Sequence, residues 1–311
     1  MPEVNHSADR LYHLVEKLGN DFSLVQGLGG NVSFKSRGIL YVKASGMRFG
    51  NVRDSSYFYR CSLRGESFED DIPGQSGKPS IEAFLHALLP HTYVVHLHSH
   101  NAVAASMVAS PGMLVPDEII NQKVQVIPYA RPGRELYDSI KSKVLRHDTE
   151  VLLLKNHGVV YFSDNIDSLE SLISRWEQVW RNLRETKSLR AFSPNDIGSE
   201  LTADEHYHVV WQAENNWRVS PDHVVFLGAT PDEFLQEFMS SRLILGKPKK
   251  QDFDAQTLTV RDEQIIWFVN LALSLPKRVL STLSLDEALW LRNWDSEKHR
   301  VQLAERMFGN N

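Results

Sequence analysis

The chain has 311 residues, 42% of them apolar and 23% charged, with a net charge of −5. These values fit one large globular unit or two modest ones and exclude a chain dominated by disorder. The negative charge excludes a nucleic-acid binder held by counterion release, and the single cysteine, Cys61, excludes an internal disulfide or a thiolate metal site. No apolar run nears the roughly 18 residues of a membrane helix, and the polar start Met1–Arg10 has no signal-peptide core. The expectation is a cytoplasmic protein with neither membrane nor nucleic acid as partner.

Leu11, Leu14, Val15 and Leu18 predict an amphipathic helix, ended by Gly19. Gly27 to Phe34 imitates a dinucleotide fingerprint, but Val32 occupies its sixth position and a strand follows. A glycine-rich turn between strands is the better reading. Ile39–Lys43 predicts a strand, and Ala44-Ser45-Gly46 the turn that ends it. Arg64 to Lys78 is polar and reads as a loop. A helix from Ser80 presents Phe84, Leu85, Leu88 and Leu89 and stops at Pro90. Val94–His98, Val124–Tyr129 and Val151–Leu154 predict strands, the last of them buried. Ile166–Arg190 predicts a long helix with the stripe Ile166, Leu169, Leu172, Ile173, Trp176, Val179, Trp180 and Leu183, whose tryptophans belong to the core. Val224–Leu227 predicts a closing strand. Gly246–Lys250 punctuates the chain. Ile265–Leu273 then precedes a final helix, at whose start Ser284 and Glu287 have capping-box spacing.

His96 and His98, two apart in a predicted strand, project from one face, and two imidazoles so placed can reach one ion. Alone, His-x-His is more often incidental. A three-ligand site with an open position needs another imidazole. His157 is the candidate, in Asn156-His157-Gly158 just beyond the buried strand. His100 belongs past the strand end, near the site but not in it. Glu82 falls in the first turn of the Ser80 helix, where the helix dipole and a nearby cation favour the ionised carboxylate, and it suits a general base. His86 reads as structural. Gly29, Gly30, Asn31, Ser45, Gly46 and Ser80 sit in turns or at a helix start, where free N–H groups and small hydroxyls suit a phosphate, with Lys35 and Lys43 as added charge. Taken singly, each of these also reads as ordinary turn or cap chemistry.

In chain order, from about Leu11 to Leu227, these motifs resemble the class II aldolase/adducin family. Gly29-Gly30-Asn31-Val32-Ser33 and Lys43-Ala44-Ser45-Gly46 are similar to its two phosphate turns, and Pro79-Ser80-Ile81-Glu82 to the helix start that carries its acid/base glutamate. Val95-His96-Leu97-His98 and Leu154-Lys155-Asn156-His157-Gly158 resemble its histidine motifs. Ile127-Pro128-Tyr129-Ala130 with Gly133-Arg134-Glu135-Leu136 resembles the segment whose tyrosine serves a neighbouring subunit's site. The nearest flavour is the rhamnulose-phosphate aldolase domain of bifunctional aldolase–dehydrogenases, through Leu85 to His91 and Ser220-Pro221-Asp222-His223-Val224, with no counterpart expected here of the dehydrogenase half.

The resemblance implies an α/β, three-layer αβα fold over residues 1–245, its central sheet mostly antiparallel and flanked by helices. Residues 246–311 would form a mainly helical extension packed on the same domain. It implies Zn2+, or another divalent ion such as Mn2+, Co2+ or Fe2+, on His96, His98 and His157. Glu82 and Tyr129 would be catalytic, and Gly30, Asn31, Ser45, Gly46 and Ser80 would hold the phosphate of a small sugar substrate in a homotetramer. The implied reaction is cleavage of a ketose 1-phosphate to dihydroxyacetone phosphate and an aldehyde through a metal-stabilised enediolate. Ile81 departs from the fuculose-phosphate aldolases, which have a phosphate-holding serine there. Dehydratases and decarboxylases on this scaffold keep the glutamate, whereas the epimerases carry aspartate in its place. The adducin head, a non-catalytic interaction module, is expected to lack the histidines.

Overall fold

The computed structural model describes residues 2–107, 123–143, 149–185, 209, 211–214, 216–240, 259–274 and 282–308. Arg37 and Gly38, both at positive φ (51° and 77°), fold β1 (Asn31–Ser36) back onto β2 (Ile39–Lys43) with Ser36 opposite Ile39. A two-residue turn of that hand matches the twist of the strands it joins. Another two-residue turn, with only Gly65 at positive φ, joins β3 (Phe58–Arg64) to β4 (Ser67–Glu69). The stretch Arg64–Lys78, expected to be loop throughout, therefore contributes an edge strand. Three residues are too few for alternation to show.

With β5 (Tyr93–Leu97), β6 (Val124–Ile127), β7 (Val151–Leu154) and β8 (Gly158–Ser163), the sheet runs β4-β3-β2-β1-β5-β8-β7-β6. Every pairing is antiparallel except β6 with β7. Successive side chains point to opposite faces. Val95, Leu97, Val151, Leu153 and Tyr161 pack with Leu11 and Val15 of α1 (Pro2–Gly19) and with Leu169 and Trp180 of α5 (Ile166–Glu185). Val94, Leu152, Leu154 and Val160 face the other way, onto Leu85 of α2 (Ala83–Leu88) and Leu136 and Ile140 of α4 (Arg134–Lys141). The result is the expected three-layer αβα arrangement. Burial on both faces explains why β7 is wholly apolar. Trp176 and Trp180 are buried and stacked 5.3 Å apart, as core residues.

α3 (His100–Met107) leads from β5 towards a second core. Its Val103 and Met107 pack with Phe234 and Phe238 of α7 (Pro231–Ser240) and with Trp267 and Phe268 of α8 (Val260–Ser274). α6 (Pro221–Leu227), α9 (Leu285–Asn293) and α10 (Asp295–Phe308) enclose another cluster through Val224, Leu291 and Ala304, against Leu28. Val224–Leu227 is thus helix, not the strand expected. Ser220 caps it by accepting the His223 N–H, and Pro221 starts it. A short apolar run does not by itself separate a strand from a buried helix. The glycine-rich turn joins α1 to β1 and not two strands. The Gly27 N–H donates to Glu263 of α8, which also accepts from Arg48 at 2.7 Å. Gly246–Lys250 and residues 186–190 lie outside the described residues.

The capping box forms as read: Ser284 accepts from the Glu287 N–H, and Glu287 accepts from the Ser284 N–H. Ser284→Ala is expected to lower stability by about 1 kcal/mol, read as a shifted urea midpoint with an unchanged slope. No helix among the described residues is long and apolar enough to cross a membrane.

Candidate metal centre and cleft

Three connections converge at the end of β5. The Ser45 N–H donates to the Lys78 carbonyl at 3.0 Å, and Ala44 bridges Pro79, which ties the β2 exit to the approach of α2. Ser80 Oγ accepts the Glu82 N–H at 3.3 Å. Glu82 stands immediately before α2 and not within its first turn as expected, and its side chain makes no capping bond. The carboxylate is turned instead to the histidines.

His96 lies on β5, and His98 comes one residue past the strand, which ends at Leu97. His96 Nδ1 is 3.1 Å from the Val159 carbonyl. Only an N–H can satisfy a carbonyl, so this contact makes Nε2 the nitrogen with a free lone pair. His157 closes the β7–β8 hairpin. Asn156 before it adopts φ 57°, a left-handed conformation that asparagine tolerates, and its Nδ2 donates to the Val219 carbonyl at 3.1 Å. Gly158 after it has no room for a side chain, since a Cβ there would strike the Leu97 carbonyl and lie 2.9 Å from His96 Cε1.

Glu82 Oε1 lies 3.3 Å from His96 Nε2 and 3.2 Å from His157 Nε2. The ring centroids of His96, His98 and His157 are 4.9 to 5.3 Å apart. One donor atom from each of the four residues falls within 4.8 Å of every other, and all four residues are buried. His98 Nε2 and His157 Nδ1 have no hydrogen-bond partner. Buried polar atoms without partners are costly, and a cation is the group that consumes imidazole lone pairs. Three imidazoles and a carboxylate are a donor set that zinc and neighbouring divalent ions take. The site therefore fits such an ion. Glu82, read as acid/base from sequence, belongs spatially to the donor set as well.

Burial pushes the Glu82 carboxyl up, but His96 and His157 hold it well below the usual range. Burial likewise lowers His96, and Glu82 more than offsets this, leaving the ring raised above 6.5. Burial takes His157 down to about 4. Without a cation, the His96 proton balances the Glu82 charge. A raised histidine stabilises the fold at pH below its unfolded value, and that contribution is lost as pH rises through its folded value. Metal binding needs the neutral ring. Zinc affinity is therefore expected to climb with pH, by up to about tenfold per unit, until the folded value is passed, and then to level off. Titration calorimetry in two buffers of different ionisation heat measures the released proton. Equal heats in the two buffers would show that His96 enters the site already neutral.

The cluster opens onto a cleft. Glu82, His98 and His157 line it together with Gly29, Gly30, Lys43, Ser45, Gly46 and Ser80. Pro221, Asp222 and Arg300 supply a further wall from the C-terminal helices. Four of the five phosphate candidates thus share the cleft. Asn31 does not line it: its side chain is buried, Oδ1 accepts the Val32 N–H at 2.8 Å, and Nδ2 has no partner. Tyr129 is also off the cleft wall. It packs against the buried cluster that holds Val224, Leu291 and Ala304, its hydroxyl is buried without a partner, and burial pushes the phenol up.

Lys35 does not add charge here, because its ammonium donates to the Leu89 and His91 carbonyls beyond α2. Lys43 does line the cleft. It donates to Met47 O at 2.7 Å and Leu28 O at 3.3 Å, and burial and then Arg300 bring it down to about 7. His86 contacts Ser33 Oγ at 2.7 Å, and His100 opens α3 outside the cluster, as read.

Sequence reasoning missed Asp222 and Arg300 as site residues. Burial opposes the Asp222 charge, but Arg300 and His98 hold the carboxyl far below its ordinary value. Asp222 appeared only within a five-residue resemblance, and Arg300 sits in a helix whose sequence looks solvent-facing.

The model of the class II aldolase and adducin N-terminal domain matches residues 9–181. An uncharacterized oxidoreductase, YuxG of Bacillus subtilis, is 25% identical over 192 residues, 53% of this chain but only 28% of the relative's length. An L-fuculose phosphate aldolase of Methanococcus vannielii is 31% identical over 150 residues, covering 45% of this chain and 75% of that one. The structure of an N-terminal class II aldolase domain from Thermoplasma acidophilum is similar at 24% identity and a TM-score of 0.47, over 57% of this chain and 92% of that one. On the matched domain, more than half of its length, the chain belongs to the class II aldolase and adducin family.

Proposed function

We propose that the chain is a divalent-metal-dependent lyase that cleaves a ketose 1-phosphate to dihydroxyacetone phosphate and an aldehyde. The observation that carries this reading is the buried cluster of Glu82, His96, His98 and His157, beside a cleft that two glycine turns and two serines also line. A complete histidine set favours an enzyme over an adducin-like interaction module.

The phosphate end is assigned to the hydroxyls of Ser45 and Ser80 and to the turn N–H groups of Gly30 and Gly46, both at left-handed φ (67° and 82°). Asn31 serves the phosphate by shaping the turn from behind. That seating directs the sugar carbons towards the histidines. A divalent ion held by His96, His98 and His157 supplies Lewis-acid polarisation of the carbonyl and compensates the charge that develops as C3–C4 breaks. The C4 hydroxyl passes its proton through Tyr129 to solvent, the C3–C4 electron pair passes to C3, and Glu82, ionised at rest, takes up a proton from solvent and delivers it to C3. Glu82 lines the cleft with Oε1 facing His96 and His157, where a positioned acid/base is needed. Tyr129 is assigned the proton of the aldehyde oxygen. Because its ring packs off the cleft wall of its own chain, that role requires an assembled homotetramer. The domain is assigned to 1–245, the helical extension to 246–311, and the location to the cytoplasm.

The test is to incubate metal-loaded protein with a panel of ketose 1-phosphates and measure dihydroxyacetone phosphate by coupled reduction. Release from at least one member is expected. Silence across the panel, with dehydration or decarboxylation of another sugar phosphate, replaces this reaction with one of those.

A further inference from the structure

Asp222 and Arg300 lie beyond the matched family region, yet both reach the cleft. Asp222 Oδ2 is 2.9 Å from His98 Nδ1, and Asp222 Oδ1 accepts from Arg300 Nη2 at 3.0 Å. Arg300 Nη1 in turn donates to Glu297 at 2.8 Å. Asp222, Glu297 and His98 are all nearly inaccessible to solvent. The two ends of the Asp222 carboxylate are therefore occupied differently, one by a guanidinium anchored on α10 and the other by an imidazole of the metal cluster.

We infer that Asp222 is a positioning residue for the metal centre: it fixes the His98 ring and tautomer so that Nε2 faces the ion, and Arg300 fixes Asp222. The inference rests on the metal-centre reading above. A carboxylate opposite Nδ1 makes that nitrogen the protonated one, leaving the Nε2 lone pair free. His98 Nε2 is buried with no hydrogen-bond partner, while Nδ1 meets Asp222 Oδ2 in an ion-pair contact at 2.9 Å and not in an aligned hydrogen bond. His96 is held in the same sense by the Val159 carbonyl, but a carbonyl carries no full charge. His98 thus has the stronger orienting partner, supplied by the C-terminal helices.

Gly29 gives an independent sign that the contact is built in. A Cβ at position 29 would lie 2.6 Å from His98 Nδ1 and 2.8 Å from Asp222 Oδ2. No side chain fits there while the pair is closed. Gly29 is not in the left-handed region, so its backbone conformation gives no reason for glycine. The space taken by the pair does.

The experiment compares zinc affinity, by chelator competition, in the native protein and in Asp222→Ala, Asp222→Asn and Gly29→Ala. Asp222→Ala is expected to weaken zinc by about 10–100-fold. Asp222→Asn, which keeps an acceptor oxygen, falls between it and the native protein. Gly29→Ala, which removes neither partner but wedges them apart, weakens zinc in the same direction. The absorption bands of the cobalt-loaded protein shift in all three, which a merely structural ion pair would not cause. Native affinity and native cobalt bands in both Asp222→Ala and Gly29→Ala overturn the inference alone. A native protein that binds no zinc overturns the metal centre itself. Should the variants fail to fold, the long-range nitrogen-15 spectrum of the native zinc protein decides. It is expected to show the proton of His98 on Nδ1, and zinc on Nδ1 overturns the inference.

Discussion

Replacing His96 with alanine is expected to leave the purified protein without its divalent ion and to lower turnover by at least about a thousandfold. Lewis-acid stabilisation contributes several kcal/mol, and each 1.36 kcal/mol is tenfold in rate. His96 has the most constrained place in the cluster. It is paired across the sheet with Asn31 and Val160, its Nδ1 faces a carbonyl, and its Nε2 faces Glu82. His100→Ala, four residues on and outside the cluster, is the matched control and should retain the metal. Full metal content with native rate in the His96 variant would remove the assignment.

Glu82→Gln is expected to lower turnover by about 10²–10⁴-fold while the ion is retained at reduced affinity. Glutamine keeps the shape and one donor oxygen but cannot ionise or carry the proton to C3. The step can be isolated by following exchange of the C3 proton of dihydroxyacetone phosphate into deuterated water by NMR. Native exchange in the variant would assign the proton transfer to another group and leave Glu82 as a ligand only.

The sheet and its helices were legible where local pattern and final environment agree. The stripe from Ile166 to Trp180, the apolar run Val151–Leu154 and the capping box at Ser284 all carry their structural reason in sequence. Val224–Leu227 misled because four apolar residues suit a strand or a buried helix equally, although Ser220 and Pro221 already marked a helix start. The His96 and His98 spacing was readable as strand alternation, even though His98 lies just beyond the strand. His157 could be proposed only as an isolated imidazole after a buried strand. What brings it to the others is the β5–β8 pairing, with His96 opposite Val160 and Leu97 opposite Val159.

The C-terminal wall was not legible. Asp222 in the first turn of a short helix and Arg300 among Glu297, Lys298 and His299 look like ordinary surface charges. Burial and pairing across 78 residues give them their meaning. Gly29 shows the same limit from the other side. Its sequence context suggested a phosphate turn, whereas the missing Cβ is what lets His98 and Asp222 meet.

X-ray absorption at the zinc edge, on native protein stripped by chelator and reloaded to saturation, tests the metal centre most directly. The expected result is one ion per chain, a first shell of nitrogen and oxygen only, and outer-shell scattering that fits three imidazoles. A sulfur scatterer, fewer than three imidazoles, or no stoichiometric uptake would contradict the assignment of His96, His98 and His157.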